Sequence, residues 1–402
     1  MNEFDASYVS SRFPLKIPPD IRDDSATERE KVHPCDILYN CISIIMRVVS
    51  FGVTIYVSIQ YYQRGNSNYM IYTLACWIIP WFLTLFISCE VRAKDESLHR
   101  TRKDCCSNAV WSVFLNILRY WETTVYSLKY YLATERNQKE RATRYYRNLV
   151  QAESDETFLR LFDCFLEAAP QKVLQIAIYL SGEEALTPWQ GCLLVSCIFS
   201  MAYTLSSHQK CLRLATPTKK HIKFIGQVFH IIWNLSMSVA RILAIALLAS
   251  IGPLWTLLCC IIHVLLFGLY IFVSDRRNLN LCNYNFFTKF LLSLTIGTIF
   301  LFHLISVKEG PTRYRYVTFY SICFVENLAC LITYFFYADW KLMPIYLFYL
   351  FVGAVIGLFL LGITFQIIYY KCFHPNVTAK VANRDPVPLR VITLRDHNTL
   401  DN

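Results

Sequence analysis

Residues 344–370 read PIYLFYLFVGAVIGLFLLGITFQIIYY, a run of 27 without one charged side chain. A helix rises 1.5 Å per residue, so about 20 apolar residues cross a hydrocarbon layer of ~30 Å, and this run is long enough to do so. Toward the N-terminus, further apolar blocks occupy 316–337, 286–305, 253–274, 224–250, 189–206, 157–180, 106–132, 68–91 and 36–62. The 402 residues are 55% apolar and 15% aromatic with only 17% charged, and the apolar ones lie in blocks rather than stripes. A bilayer is therefore the solvent, and the sequence predicts an all-α multi-pass membrane protein. Residues 1–35 are polar, of mixed charge, and carry Pro14, Pro18 and Pro19. They do not read as a signal peptide, so the first block is expected to act as its own insertion signal.

Loop charge sets the topology. A net charge of +10 would suggest nucleic acid in a soluble protein, but cytosolic loops of membrane proteins collect Lys and Arg, and no nucleic-acid partner is expected. Loop 92–104, before the third block, holds Arg92, Lys94, Arg100, Arg102 and Lys103, and loop 134–156, after it, holds Arg136, Lys139, Arg141, Arg144 and Arg147. Both of its ends thus read as cytosolic, and the same conflict recurs at the eighth block, between Arg276 and Arg277 on one side and Lys308, Arg313 and Arg315 on the other. If blocks three and eight enter and return on one side, eight transmembrane helices and two re-entrant elements remain, with both termini cytosolic. In that arrangement 30 of the 39 basic residues lie in cytosolic loops and tails, while the outer loops hold only Arg64 and Lys341. The Asn376-Val377-Thr378 sequon then lies on the cytosolic side and is not expected to carry glycan. Cys105, Cys106 and Cys372 sit at membrane boundaries, positions open to acylation.

The two halves of the chain resemble one another weakly in order. Ala240-Arg241-Ile242-Leu243 of block six follows Met46-Arg47-Val48-Val49 of block one, and Phe324-Val325-Glu326 of block nine follows Phe165-Leu166-Glu167 of block four. Four spans and one re-entrant element per half make an even number of crossings, which predicts two parallel structural repeats. The expected organisation is a tail at 1–35, a first repeat at 36–206, a linker at 207–223, a second repeat at 224–370 and a tail at 371–402.

An ionisable residue at the centre of a span is unfavourable by about 2.5–3.5 kcal/mol, so each calls for a partner or a wet cavity. Asp163 and Glu167 stand four apart on one helix face; Arg47, Arg241 and Glu326 are mid-span; Glu122 and Arg119 lie in the third block. One reading is a polar track that holds a zwitterionic lipid headgroup, with Arg facing phosphate and carboxylates facing the amine. The other is that Asp163 or Glu167 pairs with Arg241 or Lys172 only to fix packing. Pro170 removes a hydrogen bond beside the carboxylates and predicts a kink there. No His, Cys or Ser constellation has catalytic or metal-ligand spacing, and no Gly-rich loop cradles phosphate, so neither enzyme chemistry, a metal nor a cofactor is expected. His230, His263 and His303 read as lone intramembrane residues bonded to neighbouring helices.

The run from Leu159-Arg160-Leu161-Phe162-Asp163 to Glu167-Ala168-Ala169-Pro170-Gln171 resembles the XK-related family. Arg119-Tyr120-Trp121, Ser238-Val239-Ala240-Arg241 and Tyr369-Tyr370-Lys371-Cys372-Phe373-His374-Pro375-Asn376 add to the likeness, which covers roughly 36–376. The resemblance implies a plasma-membrane phospholipid scramblase of eight spans and two membrane-inserted elements that exposes phosphatidylserine, in several members after caspase cleavage. Asp163 and Glu167 match the family's acidic pair, Arg241 its buried arginine and Glu326 the acid of the second half. Ser50 and Thr54 stand where members carry two aspartates, a departure at the inner end of the lipid path. In the N-terminal tail Ile21-Arg22-Asp23-Asp24 before Ser25 makes Asp24 the expected cut for a caspase partner. A non-scrambling receptor for a lipid-transfer protein or accessory membrane subunit, and a small-solute transporter, are the competing readings.

Overall fold

The computed structural model describes residues 34–93, 115–182, 188–214, 222–275, 286–305, 313–338, 340 and 345–374, and these are helical nearly throughout. Asp24, Cys105, Cys106, the Asn376 sequon and most of both tails lie outside the described residues. The helices, numbered in chain order, are α1 (Pro34–Gln63), α2 (Ser67–Ala93), α3 (Leu115–Glu135), α4 (Lys139–Phe162), α5 (Ala169–Leu180), α6 (Pro188–Leu214), α7 (Phe224–Ile251), α8 (Pro253–Asp275), α9 (Phe286–Phe300), α10 (Arg313–Tyr337) and α11 (Ile345–Ile368). A π-helical segment, Asp163–Ala168, joins α4 to α5, and a second, Tyr369–Phe373, closes α11.

Among the described residues six stretches are long and apolar enough to cross a membrane: Asn40–Gln63, Gln190–Arg213, Phe224–Ile251, Pro253–Val273, Arg313–Tyr337 and Ile345–Phe373. Each coincides with an expected block, and α2 covers another. α9, the eighth block, has 15 residues, about 22 Å of rise against a core of ~30 Å. The chain past its end, Leu301, Phe302 and His303, is buried in protein, as non-helical backbone at membrane depth has to be.

The largest difference from the sequence reading is at 134–156, expected as a charged loop. Only Arg136, Asn137 and Gln138 turn; Lys139 already begins α4, which runs through the π segment to Leu180 without a break. That rod is about 60 Å long, twice the hydrocarbon thickness, so its polar half must project beyond the core. The described part of the third block, α3, is a single helix packed along α4 and against α1. Asn137 makes the turn with φ 54°, a conformation Asn tolerates, and Gln138 donates its N–H back to the Ala133 carbonyl at 3.0 Å. Gly65 (φ 81°) does the same between α1 and α2, where the Asn66 N–H reaches the Tyr61 carbonyl at 2.9 Å.

α7 is the hub, touching α5, α6, α8, α10 and α11. Its span is 67% buried, against 18–39% for the other five. One core cluster places Phe165, Met201, Ile242, Leu247 and Val355 around it; the other is aromatic, built from Trp233, Tyr316, Phe319, Tyr320, Phe359 and Tyr369. α8 and α9 approach closely at Gly268 and Gly297. A Cβ on Gly297 would lie 2.7 Å from the Val264 carbonyl oxygen, backbone that cannot yield. Gly297→Ala is therefore expected to force α9 off α8 and lower stability by about 1–3 kcal/mol. A thermal melt of the detergent-solubilised variant matching the parent would contradict this packing.

Candidate functional site

Two clusters of charged side chains lie inside the apolar bundle. In the first, Arg47 of α1 donates from both terminal nitrogens to Glu167, at 3.2 Å to Oε1 and 2.8 Å to Oε2. Its Nη2 also pairs with Asp163 Oδ1 at 3.4 Å. The three side chains are 14%, 10% and 7% exposed, so the cluster is closed. Both acids belong to the π-helical segment, where the Ala169 N–H reaches back five residues to the Cys164 carbonyl. The break predicted at Pro170 thus takes the form of a wide turn ahead of it: the ring, which has no N–H and would crowd the carbonyl four residues back, is accommodated while the helix continues. The partner is not Arg241 or Lys172. Lys172 instead donates to Gln175 Oε1 at 3.1 Å.

In the second cluster Arg241 of α7 donates Nη1 to Asn327 Oδ1 at 2.9 Å and Nε to the Leu301 carbonyl at 2.8 Å, and its Nη2 pairs with Glu326. His263 of α8 meets the other Glu326 oxygen through Nδ1 at 2.8 Å and the Phe300 carbonyl through Nε2 at 3.3 Å. A carbonyl only accepts, so Nε2 carries a proton, and the Nδ1 contact needs a second one, on the ring or the carboxyl. Arg241 and His263 together satisfy carbonyls at the frayed end of α9. Arg241 is 5% exposed in this pair, but Glu326 is 33% exposed, so this cluster opens to the outside of the bundle.

Arg47, Asp163 and Glu167 therefore come together, as do Arg241 and Glu326, in two separate groups. Glu122 falls on α3, but its side chain, like that of Arg119, is outside the described residues. Thr54 donates to the Ser50 carbonyl at 3.0 Å and Ser58 to the Thr54 carbonyl at 2.8 Å, so these hydroxyls of α1 bond within their own helix. Sequence reasoning missed a third buried pair, Glu156 with Arg160 at 2.5 Å, the guanidinium lying 4.7 Å from the Tyr120 ring centre. Their spacing of four on one helix was the available signal.

At one end of the bundle Arg213 of α6 donates to His374 Nε2 at 2.8 Å. Arg is always protonated, so that nitrogen accepts and the ring is neutral. Burial, then the Arg213 charge, push His374 down from 6.5 to about 4. A lowered value means that this contribution to stability is present above pH 6.5 and is lost as pH falls toward 4.

The combination of intramembrane ion pairs, a π-helical acid turn and at least six membrane-length helices defines a polytopic membrane protein with a charged interior. The chain belongs to the XK-related protein family, whose model matches residues 38–375. It is 28% identical over 225 residues to XK-related protein 8 of Pan troglodytes, covering 55% of each chain. It is 27% identical over 245 residues to Cell death abnormality protein 8 of Caenorhabditis briggsae, covering 58% of this chain and 51% of the other. The matched segment spans about half the length of these curated relatives.

Removing one partner of a buried pair strands the other charge. Arg47→Met is expected to destabilise the protein by about 3–5 kcal/mol, and adding Asp163→Asn with Glu167→Gln to recover most of the loss. Equal unfolding midpoints for the single and triple variants would rule out the closed cluster. By NMR, Arg213→Gln is expected to move the His374 titration upward toward 6.5, whereas an unchanged midpoint would show that the contact is not made.

Proposed function

We propose that this protein is a phospholipid scramblase of the plasma membrane, moving lipids, phosphatidylserine among them, between leaflets without ATP. The observation that carries the reading is the second charge cluster. Glu326 keeps a third of its side chain exposed while bound to a buried arginine in the middle of a membrane-length helix. Such a group offers a carboxylate to a lipid amine, with the buried guanidinium behind it keeping the acid charged and the acyl chains left in the bilayer. The name of the nematode relative links that protein to cell death, which supports a role in phosphatidylserine exposure; the caspase site proposed with it, Asp24, rests on the Ile21-Arg22-Asp23-Asp24 sequence of the tail. The closed Arg47–Glu167–Asp163 cluster is then the resting arrangement, and lipid passage requires it to open.

Parallel repeats suit the pairing pattern. The arginine of block one binds the acid of block four, and the arginine of block six binds the acid of block nine. The short α9, ending inside the bundle, suits a re-entrant element, and with both termini cytosolic the α3–α4 hairpin projects into the cytosol. A second reading, a non-scrambling partner for a lipid-transfer protein or another subunit, is favoured by two observations: Arg47 is fully engaged, and Ser50 and Thr54 supply no charge at the inner end of the path.

Purified protein in liposomes, intact and cut after Asp24, is expected to equilibrate labelled phosphatidylserine and phosphatidylcholine between leaflets. Asp163→Asn with Glu167→Gln and Arg47→Met, which strands no charge, and, separately, Glu326→Gln are expected to slow this by an order of magnitude, measured per folded protein in the liposomes. Liposomes that stay asymmetric with both the intact and the cut protein would leave the partner reading.

A further inference from the structure

The face of α7 that carries Arg241 also carries His230, Asn234 and Ser238, at successive spacings of 4, 4 and 3. None is more than 5% exposed. Four polar atoms in this interior have no hydrogen-bond partner among the described residues: Asn234 Oδ1, Ser238 Oγ, His303 Nδ1 and Asn327 Nδ2. They adjoin groups already placed. The Asn234 amide nitrogen donates to His230 Nδ1 at 2.9 Å, which leaves its oxygen unmet. Asn327 gives its oxygen to Arg241, which leaves its nitrogen unmet. The His303 ring stands 5.7 Å from that of Trp233, whose indole N–H donates to the Tyr320 hydroxyl at 3.1 Å.

Each buried polar atom without a partner costs about 1–3 kcal/mol, and protein interiors leave few of them. These four include an acceptor (the Asn234 oxygen), a donor (the Asn327 nitrogen) and two groups, Ser238 and His303, that take either role. Asn234 and Ser238 stand on α7, Asn327 on α10 and His303 past the end of α9, and water, held by two to four polar groups of this kind, satisfies such a mixture of donors and acceptors between elements. The line has two defined ends. At one, the Tyr369 ring lies 5.2 Å from His230 and 5.8 Å from His374, the residue held by Arg213. At the other, about 16 Å along the helix from His230, Arg241 meets Glu326, and Glu326 shares a proton site with His263.

We propose that α7, the end of α9 and α10 enclose a file of internal water molecules that runs from His230 to Arg241 and opens the Glu326–His263 pair to protons from the end of the bundle marked by Arg213 and His374. The proton moves between the carboxyl–imidazole pair and the file, and no other bond is made or broken. This site binds water, not lipid, and stands whether or not the protein scrambles.

Hydroxyl-radical footprinting of the full-length protein in nanodiscs, with radicals generated from water by a brief X-ray pulse, tests the file. Trp233 and Tyr320, which lie beside His303, are no more than 5% exposed, yet relative to the free side chains they should be oxidised several-fold faster than Met201, which is equally buried but packed in the apolar cluster. Equal relative rates for Trp233 and Met201 would overturn the proposal. Ser238→Ala gives an independent reading. Deleting a water-bound hydroxyl should lower the melting temperature and slow oxidation at Trp233, whereas deleting a dry, unpartnered one would leave the melt unchanged or raise it and so refute the file. Proton access is read by infrared spectroscopy after a pH step. The carboxyl band lost in Glu326→Gln should follow the step several-fold more slowly in Asn234→Leu, and a band indifferent to that substitution would show that protons reach Glu326 by another way.

Discussion

A guanidinium cannot sit in hydrocarbon alone, and the arrangement of the helices follows from meeting that requirement twice. Arg47 binds α1 to the π-helical turn between α4 and α5; Arg241 binds α7 to α10 and to the Leu301 carbonyl just past the end of α9. Each is a fixed point among surfaces that are otherwise apolar, and contacts among Leu, Ile and Phe do not by themselves distinguish one helix register from the next in a lipid solvent. The ion pairs do, because a one-residue slip would strand a charge. The same groups that specify the packing are those that a polar headgroup would use, so architecture and proposed activity rest on one set of side chains.

The two clusters differ in a way that bears on mechanism. Around Arg47 the acids outnumber the base, and every member is nearly closed off from the surroundings. Around Arg241 the arginine is enclosed while its acid faces partly outward, and a histidine completes the group. A bundle with one shut and one partly open cluster is asymmetric in its charged interior.

The apolar blocks were legible because hydrophobic length is a one-dimensional property, and α1, α2 and α6 to α11 match them closely. The intramembrane charges were legible for the same reason, since a lone Arg47 or Glu326 in such a block stands out. Their partners were not. Asp163 and Glu167 were set against Arg241 or Lys172 on grounds of charge alone, whereas the choice of Arg47 depends on which helices are neighbours, a fact carried by packing over a sequence separation of 120 residues. The stretch at 134–156 was misread as a loop because its polarity is that of a cytosolic segment, and polarity does not distinguish a loop from a helix that has left the bilayer. The π-helical form of the Pro170 break was likewise hidden: proline announces a lost hydrogen bond, but its neighbours decide whether the chain bends or widens.

The unbroken run from Lys139 to Leu180 is also a lever. Its short turn at Asn137 ties α3 to its far arm, α6 packs on that arm and on the π segment, α2 and α7 grip its near arm, and the two carboxylates sit between the arms. A helix transmits force along its axis with little compression, so a sideways load on the polar arm swings the segment that holds Arg47. A π-helical turn, with its looser hydrogen bonding, is where such a rod gives way first, so the fulcrum and the ion pair occupy the same six residues.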